Sequence, residues 1–172
     1  MKKILLFSVI ALSALLACNN DKTANNGGLS ARAKKNLDAI HTVNNSFSSG
    51  DVSGIDSVVD ESFVDHTPDG DKNRDSLKVY IPKMKAADPT SKMETIQEFA
   101  NDDYVAGWYR WTGTGDGSMG MPAGPYDMQA VEMVKFNADG KAIEHWSFME
   151  SRDAMKMMMN MGGAAKDTTM KK

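Results

Sequence analysis

The residues of this chain best suited to proton chemistry are a few carboxylates and imidazoles set into strand-like segments. From Met128 to Phe136, the alternate residues Met128, Ala130, Val134 and Phe136 are apolar, and Glu132 interrupts them. A strand turns alternate residues to opposite faces, so Glu132 is expected among hydrophobes. A carboxylate there needs a partner or a raised pKa. It is either held structurally, with Arg110 on the neighbouring strand as a partner, or it serves a pocket. Glu150 closes the last strand-like segment. Set in an apolar cavity, its charged form would be disfavoured and it could pass a proton in either direction. Set in solvent, it is a strand end or a cap for a helix starting at Ser151.

Three histidines are present. His66 lies in Asp65-His66-Thr67-Pro68, where it either contacts a pocket or is satisfied by local backbone. His145 precedes Trp146, so regular alternation turns it away from Trp146 and Glu150 and weakens it as a partner for Glu150. His41 reads as surface or core filler. Asp65, His66 and His145 match no compact ligand spacing, so no metal is expected. Serine or cysteine nucleophiles have no support, because there is no Gly-x-Ser-x-Gly turn and Cys18 is the lone cysteine. The aromatics Tyr104, Trp108, Tyr109 and Trp111 crowd one segment, and Trp146 and Phe148 another. Most are core by default, although Trp108 and Trp146 could form a pocket wall. The run Met155-Lys156-Met157-Met158-Met159-Asn160-Met161 offers soft thioethers to copper, but methionine is also a good helix former and packing filler, and packing is the reading adopted.

The elements that must position these groups follow from periodicity. Leu37, Ile40, Val43, Asn44 and Phe47 recur at helical spacing from about Ser30, and Gly50 stops them. A short helix is expected over Asp51 to Asp60, then a short strand from Ser62 into the turn Pro68-Asp69-Gly70, then a helix from Asp75 to Ala87. Beyond Pro89 the period changes to two, near Lys92 to Ala100, Tyr104 to Thr114, Tyr126 to Asn137 and Lys141 to Glu150. A closing helix is expected over Ser151 to Met161. Helices first and a strand meander afterwards predict an α+β domain with helices on one face of a curved, mostly antiparallel sheet.

The start of the chain reads as an export signal. Lys2 and Lys3 precede an apolar run from Ile4 to Ala17, too short to span a bilayer. Leu15-Leu16-Ala17-Cys18 resembles the lipobox of bacterial lipoproteins, which predicts cleavage before Cys18, lipidation of that cysteine and a place in the bacterial cell envelope. The expected organisation is a signal peptide over 1–17, a lipidated Cys18 with a polar tether to 29, a domain over 30–162 and a polar tail over 163–172. Cleavage removes two lysines from a chain of formal charge −3. A mildly acidic domain with scattered lysines is no nucleic-acid binder.

Four pieces together resemble a known family. They are Phe63-Val64-Asp65-His66-Thr67-Pro68, the glycine-rich stretch Gly113 to Gly124, Lys135-Phe136-Asn137-Ala138-Asp139-Gly140-Lys141-Ala142-Ile143-Glu144-His145-Trp146, and the helix closing on Asn160-Met161-Gly162. In this order they resemble the SnoaL-like polyketide cyclases, or ester cyclases, of the NTF2-like superfold. The resemblance implies a cone in which the sheet wraps toward the helices around an apolar pocket, with Asp65 and His66 near its mouth. It also implies that Glu150, four residues after Trp146, stands where the cyclases carry an aspartate general acid/base that works without a cofactor. The expected site is therefore Glu150 and His66 as catalytic groups, with Asp65, Trp108, Glu132, Trp146 and Phe148 around a small apolar or aromatic ligand. The competing reading is a noncatalytic binding or interaction module, dimeric through the exposed face of its sheet.

Overall fold

The computed structural model describes residues 28–155. The expected leader, Cys18, nearly all of the tether, residues 156–161 of the closing helix and the tail lie outside the described residues. Among the described residues no helix is long and apolar enough to cross a membrane.

Helix α1 (Ala31–Ser49) starts where Ser30 accepts a hydrogen bond from the Ala33 amide at 2.9 Å. It ends at Gly50, whose φ of 81° lets its N–H turn back to the Ser46 carbonyl. Ala33, Asn36, Ala39 and Ile40 line its buried side. Asn36 donates from Nδ2 to the carbonyls of Asn101 and Asp102 at 3.2 and 3.0 Å, fixing the helix to the turn between two strands.

The second helix is shorter than its pattern suggests. Asp51 instead makes a local turn with the Ser53 amide at 2.9 Å, and α2 covers only Ile55–Val58. Strand β1 (Val59–Thr67) begins at once, three residues before the expected start, because Val59 already pairs with Ala142 of the last strand. A long-range pairing thus captures β-branched residues that local spacing would leave helical. The Pro68-Asp69-Gly70 turn leads into the short β2 (Gly70–Lys72), and α3 (Arg74–Ala87) follows from an Asn73 cap on the Ser76 amide at 2.9 Å.

Strands β3 (Lys92–Ala100), β4 (Tyr104–Asp116), β5 (Ala123–Phe136) and β6 (Ala142–Met149) form the meander. The described residues make a six-stranded curved sheet in the order β2-β1-β6-β5-β4-β3, antiparallel except between β1 and β6. The helices cover one face, where Ile40, Ile55, Leu77 and Ile81 pack on Phe63, Val105, Tyr109 and Val134. This is the α+β, NTF2-like cone.

Asp88, only 1% exposed, locks the end of α3 to the sheet. Its Oδ2 accepts from the Tyr126 hydroxyl at 2.6 Å, and its Oδ1 accepts from the Thr90 amide and hydroxyl at 2.9 and 2.6 Å. Burial and the Asp88 carboxylate push Tyr126 up to about 12, so the phenol stays a donor. Gly113 makes this approach possible, because a Cβ there would stand 2.0 Å from Asp88 Oδ2.

Candidate functional site

Register decides which polar groups meet. Across β4 and β5, Gly107 pairs with Glu132 and Tyr109 with Ala130; across β5 and β6, Glu132 pairs with Ser147 and Val134 with His145; across β1 and β6, Asp65 pairs with His145. Paired residues point to the same face, so Asp65, Glu132, His145 and Ser147 stand together with Tyr109 on the inner, helix-covered face.

His145 is the centre of the group. Its Nδ1 lies 2.7 Å from Asp65 Oδ1 and its Nε2 2.8 Å from Glu132 Oε2. The Ser147 hydroxyl donates to Glu132 Oε1 at 3.0 Å. The side chains of Asp65 and Glu132 are each 20% exposed and Ser147 is exposed, so the cluster adjoins solvent at one end. Burial opposes the imidazolium, but hydrogen bonds to Asp65 and Glu132 outweigh it and push His145 up to about 9. Each ring N–H of the cation then has a carboxylate to donate to.

A second polar chain lies beside it. The buried Tyr109 hydroxyl donates to Glu98 Oε1 at 2.8 Å, and His41 Nε2 stands 3.0 Å from Glu98 Oε2. Burial pushes the Tyr109 phenol far up, keeping it protonated. Its ring lies over Gly107, where a Cβ would come within 2.2 Å of it. Nearby, the Tyr80 hydroxyl donates to the Met119 carbonyl at 3.3 Å, from a loop in which Met119 takes a left-handed φ of 54°. Phe47, Ser48, Met84, Ser91, Met93 and Trp111 line a cavity of about 10 Å³, room for about one water. No group of three or more ligating side chains that could hold a metal occurs among the described residues.

The expected site residues are divided by the sheet. Asp65 and Glu132 belong to the inner cluster, and the partner of Glu132 is His145 rather than Arg110. Arg110 lies on the other face with Asp127 at 2.7 and 2.8 Å. His66, Trp108, Trp146 and Phe148 also occupy that outer face, because they are one step out of phase with Asp65, Gly107, His145 and Ser147. His66 stacks on Trp146 with centroids 5.1 Å apart and approaches Asp71 at 3.0 Å and Glu144 at 3.5 Å. The Asp71 hydrogen bond, against a smaller cost of burial, raises its pKa.

Trp108 and Phe148 are 44% and 53% exposed, so they cannot wall a pocket on the inner side. Glu150 corrects the expectation in another way. The strand ends at Met149, and the Glu150 carbonyl accepts from the amides of Asp153 and Ala154 as a helical turn begins. Its half-exposed carboxylate pairs with Arg152 at 3.1 and 3.2 Å, which is the strand-end role.

Sequence reasoning weakened His145 as a partner for Glu150 and did not join it to Glu132. The signal was present in the hairpin itself. A turn about Ala138-Asp139 brings Glu132 across from the His145–Ser147 stretch, with an odd-numbered residue opposite each even one, so Glu132 and His145 share a face.

Residues 40–145 match the SnoaL-like domain family. The chain belongs to this family. Among solved structures, the SnoaL-like chain is similar to IdmH, a candidate polyketide cyclase from Streptomyces antibioticus, at 20% identity and a TM-score of 0.57, over 72% of this chain and 97% of that one. It is similar to a candidate polyketide cyclase from Bacillus cereus ATCC 10987 at 23% identity and a TM-score of 0.60, over 76% and 82%. AclR, a candidate hydroxylase from Streptomyces galilaeus, matches at 23% identity and a TM-score of 0.59, over 74% and 98%. At these identities the likeness is one of fold. No curated protein sequence matches the chain.

The His145 bridge predicts a pH signature. A histidine whose folded pKa is raised adds stability that is complete below the ordinary value of 6.5 and is lost as pH rises through about 9. Carbon-detected titration of the histidine rings should find His145 with its midpoint near 9, and the Glu132→Gln variant should bring it down by about one unit or more. Thermal melts should show wild-type stability falling between pH 7 and 10 more than that of His145→Gln. A wild-type midpoint near 6.5 would contradict the bridge.

Proposed function

We propose that this SnoaL-like domain binds a small molecule with an apolar or aromatic body at the open end of its cone, next to Asp65 and Ser147, and moves a proton on it without a cofactor. The observation that carries the reading is the imidazolium of His145 held between two carboxylates on the inner face, at 2.7 and 2.8 Å. An acid/base pair of this kind can act on a carbon acid. Asp65 takes the proton from the carbon beside a carbonyl, the C–H electron pair moves onto the carbonyl oxygen as an enolate, and Asp65, having exchanged its proton with solvent at the open end, returns one to carbon or oxygen. Such chemistry is of the cyclase, isomerase or lyase type. His145 and Glu132 orient Asp65 rather than touching the ligand.

The test is exchange of the α-hydrogen of a hydroxyphenyl β-keto ester in D2O, followed by proton NMR. Wild-type protein is expected to accelerate exchange over buffer, Asp65→Asn to abolish the acceleration, and Glu132→Gln to reduce it about tenfold or more. Glu150→Gln and His66→Gln should match wild type. Loss in Glu150→Gln with retention in Asp65→Asn would return the reaction to the strand end.

A second, noncatalytic reading draws on the outer face of the sheet. There Phe99, Trp108, Val131 and Phe148 expose an apolar strip across β3 to β6, the kind of surface on which proteins associate. The occupant proposed for it is a second copy of this chain. Sedimentation should then give a dimer at micromolar concentration, and Phe148→Lys should give a folded monomer; a wild-type monomer at that concentration would argue against it.

The place of action proposed is the bacterial envelope, with Cys18 lipidated and holding the chain to a membrane. That reading is supported by the order of charge, apolar run and lone cysteine at residues 2–18. Cys18→Ser is expected to move the protein from the membrane fraction to the soluble fraction, and an unchanged distribution would remove the anchor.

A further inference from the structure

The hydrogen-bond ledger of the inner cluster determines what kind of group could join it. Both nitrogens of His145 are engaged by Asp65 and Glu132. Both oxygens of Glu132 are engaged, by His145 and by Ser147. The Tyr109 hydroxyl is given to Glu98, and the Tyr80 hydroxyl to the Met119 carbonyl. Two polar atoms of this set keep capacity. Asp65 Oδ2 makes no hydrogen bond among the described residues although its carboxylate is partly exposed, and Ser147 Oγ retains its lone pairs after donating to Glu132. Both are acceptors. Every side-chain donor in the set is already committed, so a ligand must bring its own donor.

Charge points the same way. With His145 protonated, the two carboxylates and one imidazolium leave one net negative charge. Lys72, the cross-strand partner of Asp65, is tied to Asp69 at 3.2 Å and adds no net charge with it. Arg110 and Lys135 are on the outer face, paired with Asp127 and Glu144. An anionic ligand would meet a like charge with no free cation among these groups to offset it.

We infer that the site takes ligands presenting an uncharged O–H or a cationic N–H on an apolar body to Asp65 Oδ2, and turns away carboxylates and phosphates. The inference rests on the proposed reading of this cluster as a ligand site. An alcohol and an ammonium group share the required chemistry, and the measurement separates them.

Full-length protein in detergent is titrated with benzyl alcohol, benzylamine and benzoate, three probes of one size and different charge, while the His145 ring signals are followed by NMR. The alcohol, the ammonium or both should shift those signals, and benzoate should bind about tenfold or more weakly than the better of the two. Asp65→Asn, which adds an N–H donor and removes a charge, should narrow or reverse that gap. Ser147→Ala keeps the charge and should preserve the gap, a check that stands even if Asp65→Asn does not fold. Benzoate binding at this site as tightly as the other probes overturns the selectivity and leaves the ligand site in place. Failure of all three probes to perturb His145 overturns both.

Discussion

Two carboxyl groups on the inner face of a small sheet need either a shared proton or a cation between them, and here His145 stands between them. Unit charges a few Å apart at a protein's effective dielectric repel by a few kcal/mol. A neutral imidazole could donate to one carboxylate but would turn a lone pair toward the other. The protonated ring donates to both, at 2.7 and 2.8 Å. Because Asp65 is on β1, His145 on β6 and Glu132 on β5, the same contact fastens the parallel β1–β6 pair to the antiparallel meander. The structural bridge is thus also the centre of the proposed acid/base chemistry.

The sheet acts as a partition around that bridge. Its inner face gathers the bridge, Tyr109 and the apolar core beneath the helices. Its outer face carries a different chemistry, in which an exposed apolar strip is bordered by the His66–Trp146 stack and by the ion pairs of Arg110 and Lys135. A side chain cannot serve both faces. Trp108 and Trp146 therefore belong to the outer surface, and the proposed inner ligand contacts fall to Asp65 and Ser147.

Helices close over the inner face through buried polar anchors as well as apolar packing. Asn36 holds α1 to the turn before β4, and Asp88 holds the end of α3 to Tyr126 of β5. Glu98 links the exposed His41 of α1 to the buried Tyr109 of β4. A buried polar group costs free energy unless its partners are in place. Such anchors therefore favour one seating of the helices where oily contacts alone would tolerate several.

Local sequence determined much of the fold. Helical spacing around Ile40 and Leu77, the Ser30 and Gly50 ends of α1, and the change to period two after Pro89 are all short-range signals, and they fix the α+β arrangement with its long hairpins. Alternation also placed Glu132 among hydrophobes, since period two acts within one strand. The second helix was not legible, because Val59 is drawn into β1 by Ala142, a partner far along the chain. The same limit governs the site. Which carboxylates flank His145 depends on the register of three strands, including a parallel pair that no turn dictates, and on bulges in both pairings that involve β6. Alternation named Glu132 as a candidate, and the family resemblance named Asp65. Only the tertiary structure chose His145 to join them, set His66, Trp108, Trp146 and Phe148 on the opposite face and left Glu150 at the end of its strand, because register is a property of paired strands and not of any one segment.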